Sequence, residues 1–322
     1  MPTAFDMVIR GGTVVDGSGG EPFKADVAIR NGRIAQVGKV AGRGREELDA
    51  KDLIVTPGFV DIHTHYDGQV TWEQRVTPSS QHGVTTVVMG NCGIGFAPCR
   101  PDDRAALVRL MEGVEDLPEP VLTAGLPWNW QTFPEYLDRL AERSYDIDIA
   151  AQLPHAAVRV HVMGQRAVDH EAATSADIAQ MADLTREALS AGALGFSTSR
   201  SINHRASDGN PTPTLNATEA ELTGIALGVR ASGAGVLQVI SDFTDTQSDF
   251  AMLERVAERS RRPMSISVMQ FHQHPGRWKE VLAWITAANA RGLQITAQVS
   301  GRPIGGLLGL DMTVHPFVFC PS

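Results

Sequence analysis

The chain has 322 residues, a formal net charge of −9 and a hydrophobic fraction of 43%, with a mean hydropathy of −0.10. Such a chain can bury a sizeable core in one large domain or in a large and a small one. With no basic stretch carrying interleaved aromatics, the negative balance argues against nucleic-acid and anionic-membrane partners.

The first residues, MPTAFDMVIRGG, lack the charged and apolar regions of an export signal, and no apolar run is long enough to span a bilayer. Cys92, Cys99 and Cys320 are too few, and odd in number, for a disulfide framework. The expected setting is therefore cytoplasmic, with no membrane partner. Residues 1–56 hold short segments rich in valine and isoleucine, namely FDMVIRGG, GTVVDG, KADVAIRNGRIAQVG and LDAKDLIVTPG, each bounded by turn residues. Asn31-Gly32 marks a hairpin, because both turn positions require positive φ. A small antiparallel sheet is expected here as a separate β domain.

From Pro57 the pattern changes to strands alternating with helices. GFVDIHTH and VTTVVMGNCG come first; DIDIAAQL follows, running on toward VRVHVMG, and then ALGFSTS, GVLQVIS, MSISVMQ and LQITAQVS. The intervening helices include TSADIAQMADLTREALSAG, SDFAMLERVAERSRR, RWKEVLAWITAANARG and TEAELTGIALGVRASG, the last opened by a capping box of Thr218 and Glu221. Repeated strand–helix units imply a parallel sheet with crossover helices. The fold class is α/β, and the strands suggest a (β/α)8-type barrel over residues 57–322, with chemistry at the carboxyl ends of its strands. A doubly wound open sheet is the competing topology, but no GxGxxG stands at the first strand-to-helix turn. Residues of about 93–144 read as a long irregular insertion, a lid or pocket wall, rich in proline and tryptophan (PEPVLTAGLPWNWQTFPEYL).

The chemistry concentrates in PGFVDIHTHYDG. Side chains alternate along a strand, so His63 and His65 point the same way at a strand's carboxyl end and can share a metal ion. Zinc normally takes three protein ligands and keeps a fourth position open. The bland alternative is a pair of hydrogen-bonded pocket histidines.

PGFVDIHTHYD resembles the first barrel strand of the amidohydrolase superfamily, where PGxxDxHxH supplies two metal ligands, and VTTVVMGNCGIGFAP resembles the matching segment of the N-acyl-D-amino-acid deacylases, or D-aminoacylases. GALGFSTSR resembles that family's fourth-strand motif. The resemblance implies a metal-dependent hydrolase barrel with a small β-sandwich. It also implies one or two zinc ions, and N-acyl amino acids cleaved at the amide bond by a zinc-activated water. In the family the cysteine of GNCG is a zinc ligand, and it matches Cys92. Glycines on either side let the backbone approach an ion, although a lone cysteine is more commonly a buried structural residue. Cys99 and Cys320 keep that structural reading. A cyclic-amide hydrolase of hydantoinase type shares the first-strand motif, but its bridging lysine is absent: Lys24, Lys39, Lys51 and Lys279 all lie away from barrel strand ends.

The sequence departs from the family at several positions. Ile240 and Val268 stand where the deacylases carry histidines after the fifth and sixth strands. His272 and His274 in MQFHQHPGRW are secondary metal candidates, or polar loop residues. No counterpart of the last-strand aspartate that serves as general base is present, so the catalytic residues stay unassigned; Asp311 reads as a surface residue. The chain ends at HPFVFCPS, where the family continues, and is read as truncated before its last barrel strand. After the fourth strand, Arg200, His204 and Arg205 are candidates for binding a substrate carboxylate, which arginine holds bidentately. A non-catalytic member of the family is the reading from another class.

Overall fold

A computed structural model describes residues 4–271, 274–301, 309–310 and 317. The chain divides into two compact units, Met1–Phe59 and Val60–Ser322.

The first unit is built from β1 (Phe5–Val14), β2 (Phe23–Arg30), β3 (Arg33–Gly38), β4 (Gly44–Asp49) and β5 (Ile54–Val55). Their order is β3-β2-β1-β4, with β5 also on β1. Asn31 (φ 54°) and Gly32 (φ 70°) form the β2–β3 turn in the left-handed region that the Asn-Gly pair favours. The expected antiparallel sheet is corrected to a mixed one: β1 runs antiparallel to β2 but parallel to β4 and β5. The reason is topological. Once β3 has hairpinned onto β2, the open edge is that of β1. The following segment returns to the start of β1, where Gly44 pairs with Phe5, so β4 must run alongside in the same direction. A register shift between Ile9 and Gly12 divides the apolar face into two small clusters, Val8 with Ala28 and Val40, and Val14 with Ala25 and Val27.

The second unit alternates strands and helices. It begins with β6 (Phe59–Asp61) and β7 (Val84–Met89), then α1 (Arg104–Glu115), α2 (Glu119–Gly125) and α3 (Phe133–Ala141). Next come β8 (Asp148–Ala151), β9 (Leu153–Pro154), α4 (His155–Met163), α5 (Gln165–Val168), α6 (Ser175–Ala191) and β10 (Gly195–Arg200). The unit continues with α7 (Glu219–Ala231), β11 (Val236–Ser241), α8 (Thr246–Ser260), β12 (Met264–Ser267), α9 (Arg277–Ala290) and β13 (Ile295–Gln298). Among the described residues these strands form two sheets in chain order, β6-β7-β8 and β9-β10-β11-β12-β13, with parallel pairing from β7 to β8 and throughout the second sheet. One apolar core joins strand residues such as Met89, Phe196, Val239 and Ile266 to helix residues such as Met181, Ile225, Leu253 and Trp284. Among the described residues no helix is long and apolar enough to cross a membrane.

Three expectations about elements need correction. The valine-rich VRVHVM is helical, as part of α4. Its residues from His155 to Val160 are all buried, and tertiary burial overrides the weak strand preference of valine. The insertion is ordered rather than irregular, since it contains α1, α2 and α3. Thr218 does accept the Glu221 N–H, but Glu221 does not reach back. Its buried carboxylate is instead drawn to His155 Nε2 (3.0 Å) and to the Arg159 guanidinium, because two buried hydrogen-bonding partners outweigh one exposed backbone N–H.

Candidate metal centre

His63 and His65 follow β6, and Thr64 between them is anchored to β7 through its hydroxyl and its N–H, both donating to the Val88 carbonyl (2.8 and 3.0 Å). The two imidazoles lie on one side with ring centroids 5.5 Å apart. Cys92 is delivered by the turn after β7. A Cβ at Gly90 would meet the Gln152 carbonyl oxygen at 2.1 Å, and one at Gly93 would meet Thr198 Cα at 3.0 Å. Cys92 itself has φ 55°, a left-handed backbone rarely tolerated by non-glycine residues. The turn is over-determined around it. Asn91 Nδ2 donates to Val88 (2.9 Å), Gln152 Nε2 donates to Asn91 Oδ1 (2.8 Å), and the Gly93 N–H reaches Ser197 Oγ (3.0 Å). Such strain persists where neighbours enforce it, commonly at functional positions.

The result is a cluster in which His63, His65 and Cys92 each offer a ligand atom, all within 4.8 Å of one another. His63 Nε2 lies 3.1 Å from Cys92 Sγ. His65 Nδ1 is buried and has no hydrogen-bond partner, leaving a lone pair to be satisfied. Two imidazoles and a thiol form a donor set that suits zinc. Burial lowers the pKa of His63 and puts that of His65 well below the ordinary value, so both rings stay neutral. Burial pushes the Cys92 thiol well up, so ion binding would release its proton.

Residues outside the predicted set border this cluster. Glu115, at the end of α1, places Oε1 3.3 Å from His65 Nε2. Burial, and then the charge of Asp67, push its carboxyl up to about 8. Asp67 is buried, its carboxyl is raised by burial to about 7, and Tyr136 of α3 donates to its carbonyl at 2.8 Å. The insertion thus furnishes a wall of the site. On another side Gln298, at the end of β13, lies 3.0 Å from His63 Nδ1. Glu115 and Gln298 carry no local motif. Asp67 was visible two residues beyond His65.

Of the remaining predicted positions, His204 lies near the cluster and the others do not join it. Ile240 and Val268 are buried apolar side chains. His274 is exposed, its N–H bonded to the Phe271 carbonyl at 3.2 Å, and it borders an open cavity with Arg277 and Glu280, whose lining includes none of His63, His65 and Cys92. His272, Asp311 and Cys320 lie outside the described residues. Arg200 donates to the Ala217 carbonyl (2.8 Å) and stands 4.0 Å from Asp249, while Arg205 donates to the Gly209 carbonyl (2.9 Å). His204 pairs with Ser199 Oγ at 2.8 Å; burial, and then the proximity of the His63 imidazole, which disfavours protonating both rings, depress its pKa to about 4. Cys99 is buried, with its thiol pointed at the Arg100 carbonyl.

The model of the Amidohydrolase family matches residues 46–317. A D-aminoacylase of Alcaligenes xylosoxydans xylosoxydans is 32% identical over 293 residues, covering 89% of this chain and 55% of that protein. A solved D-aminoacylase, from work on its binuclear metal centre, superposes with a TM-score of 0.78 at 29% identity, covering 92% of this chain and 59% of that one. The N-acyl-D-glutamate deacylase of Bordetella bronchiseptica, solved with zinc and a phosphonate mimic of the tetrahedral intermediate, gives a TM-score of 0.73 at 28% identity, covering 93% and 59%. The chain therefore spans little more than half the length of these relatives.

Proposed function

Because the chain belongs to the amidohydrolase family, we propose that it carries the zinc-binding part of a hydrolase that cleaves the amide bond of N-acyl amino acids, with the D configuration named in its relatives. The observation that carries this reading is the convergence of His63, His65 and Cys92 within 4.8 Å, with His65 Nδ1 buried and unpartnered. Zinc held there would supply Lewis acidity for an acyl carbonyl and acidify a coordinated water. The protein's own part is to keep two imidazoles neutral, to hold Cys92 in a strained turn and to screen the site with the insertion. The substrate carboxylate is assigned to Arg200, at the end of β10, and to the loop bearing His204 and Arg205. That loop follows β10, whose Ser197 bonds the Cys92 turn and whose Ser199 bonds His204. His204 is neutral at pH 7 and acts there as a hydrogen-bonding group. Among the described residues no group is assigned as general base.

The two sheets are read as arcs of one (β/α)8-type barrel over 57–322, with the insertion at about 93–144. Support comes from the consecutive strand order and from β8 and β9 being separated only by Gln152, whose N–H bonds Met89. Residues 1–56 are read as the matching β-sandwich domain. A cytoplasmic setting is included, supported by the free thiols of Cys92 and Cys99.

The test is zinc per folded chain after extensive dialysis, together with hydrolysis of N-acetyl-D-amino acids. Near-stoichiometric zinc that is lost in His63→Ala and Cys92→Ala is the expected result. Zinc near zero in folded protein would transfer the reading to a non-catalytic family member. The buried apolar Ile240 and Val268 favour that second reading.

A further inference from the structure

Behind the ligand cluster runs a continuous chain of uncharged polar side chains from the last three described strands. The Cys92 N–H donates to Gln238 Oε1 at 3.1 Å, and Gln238 Nε2 donates to Ser267 Oγ at 3.1 Å. Ser267 Oγ donates to Gln298 Oε1 at 3.5 Å, the longest link. Gln298 Oε1 lies 3.0 Å from His63 Nδ1, and His63 Nε2 lies 3.1 Å from Cys92 Sγ. The path closes on itself: it leaves Cys92 through the backbone and returns through the thiol.

The direction of each bond follows from chemistry. A backbone N–H can only donate, so Gln238 must present its oxygen to Cys92 and its amide nitrogen to Ser267. Ser267 accepts from Gln238 and turns its own proton to Gln298. Gln298 Oε1 can only accept, so the ring nitrogen facing it, His63 Nδ1, must carry the proton. That leaves the Nε2 lone pair directed toward Cys92 Sγ. Gln238, Ser267 and Gln298 do not titrate, so their own donor and acceptor roles do not change with pH.

We infer that Gln238, Ser267 and Gln298 form a neutral positioning relay that holds His63 in the Nδ1–H tautomer and pins the Cys92 backbone, so that Nε2 and Sγ are presented together. Its purpose rests on the zinc reading above, but the tautomer it dictates does not. The residues act through the ligands and touch no reacting atom, so they are positioning residues. A carboxylate at Gln298 would hold the same tautomer while adding a negative charge; the amide leaves the positive charge of a bound ion undiminished.

The test uses the metal-free full chain and three variants, Gln298→Leu, Gln298→Glu and Ser267→Ala, each with its fold checked by circular dichroism. Long-range ¹H–¹⁵N imidazole spectra are expected to show His63 as the Nδ1–H tautomer in wild type and in Gln298→Glu, and shifted toward Nε2–H in Gln298→Leu. Cobalt(II) titration, followed by its thiolate charge-transfer band, is expected to weaken about 10–100-fold in Gln298→Leu. Gln298→Glu should restore cobalt binding. Ser267→Ala should give a smaller shift in the same direction, and it remains informative if Gln298→Leu does not fold. An Nε2–H tautomer in wild type would overturn the relay. So would a tautomer and cobalt affinity unchanged by both Gln298→Leu and Ser267→Ala. If the tautomer behaves as expected while wild type binds no cobalt, the relay stands and the zinc reading fails.

Discussion

Gly90 has little freedom to accept a side chain. Its φ is +75°, and any side chain would drive a Cβ to 2.1 Å from the Gln152 backbone oxygen. Gly90→Ala is therefore expected to destabilise the chain by at least about 1–3 kcal/mol through overpacking, and to lower zinc retention by displacing Cys92. Urea unfolding and zinc stoichiometry would measure both effects, and a neutral result on each would mean the turn relaxes freely. The glycines of GNCG were read as letting the backbone approach an ion; the close approach they make here is to the Gln152 and Thr198 backbone. That Cys92 itself adopts φ 55° was not readable, because the enforcing contacts of the turn come from Gln152, Ser197 and Gln238, far away in the chain.

At the level of elements, the first sheet contains its own pH sensor. Asp26 on β2 accepts N–H bonds from Gly11 (2.8 Å) and Val40 (3.3 Å), and pairs with Arg10. Burial opposes its ionisation, but these bonds together outweigh burial and hold the carboxyl below its ordinary value of 3.8. A depressed carboxyl contributes stability that is present above its unfolded pKa and is lost as pH falls through the folded one. Asp26→Asn is expected to cost about 1 kcal/mol near neutrality and to remove part of the acid dependence below pH ~4. Thermal melts at pH 7 and pH 3 would check this; identical losses at both would reject the assignment. Most strands and the helices α6, α7, α8 and α9 were legible from periodicity and turn chemistry, whereas α1, α2 and α3 lay in the segment read as irregular. The α4 helix was not legible, since its side chains are buried on nearly all faces and leave no amphipathic stripe. Glu221 matched a capping-box pattern, yet its carboxylate is used by a buried histidine and arginine contributed by α4.

For the whole molecule, ligand linkage gives a direct check. Zinc that binds only the folded chain should add about 2.7 kcal/mol to unfolding when present at 100 times its dissociation constant. Calorimetry with zinc and with a chelator is expected to show this gain in wild type and to lose it in Cys92→Ala; an unchanged melting temperature would contradict a zinc site in the native state. What the sequence by itself determined is the family and much of the alternation of strands and helices; it also singled out His63 and His65 by their spacing and Cys92 by the resemblance of GNCG, three residues whose side chains the fold brings together. What only the tertiary structure decided is the surroundings of that trio. Glu115 of the insertion reaches His65, Gln238 reaches Cys92 and Gln298 reaches His63, with Ser267 joining the two glutamines, across separations of up to 235 residues. The physical reason is that a histidine pair is written in a two-residue spacing, whereas the neutral groups beside it are ordinary glutamines and a serine, brought there only by the strands that carry them inward.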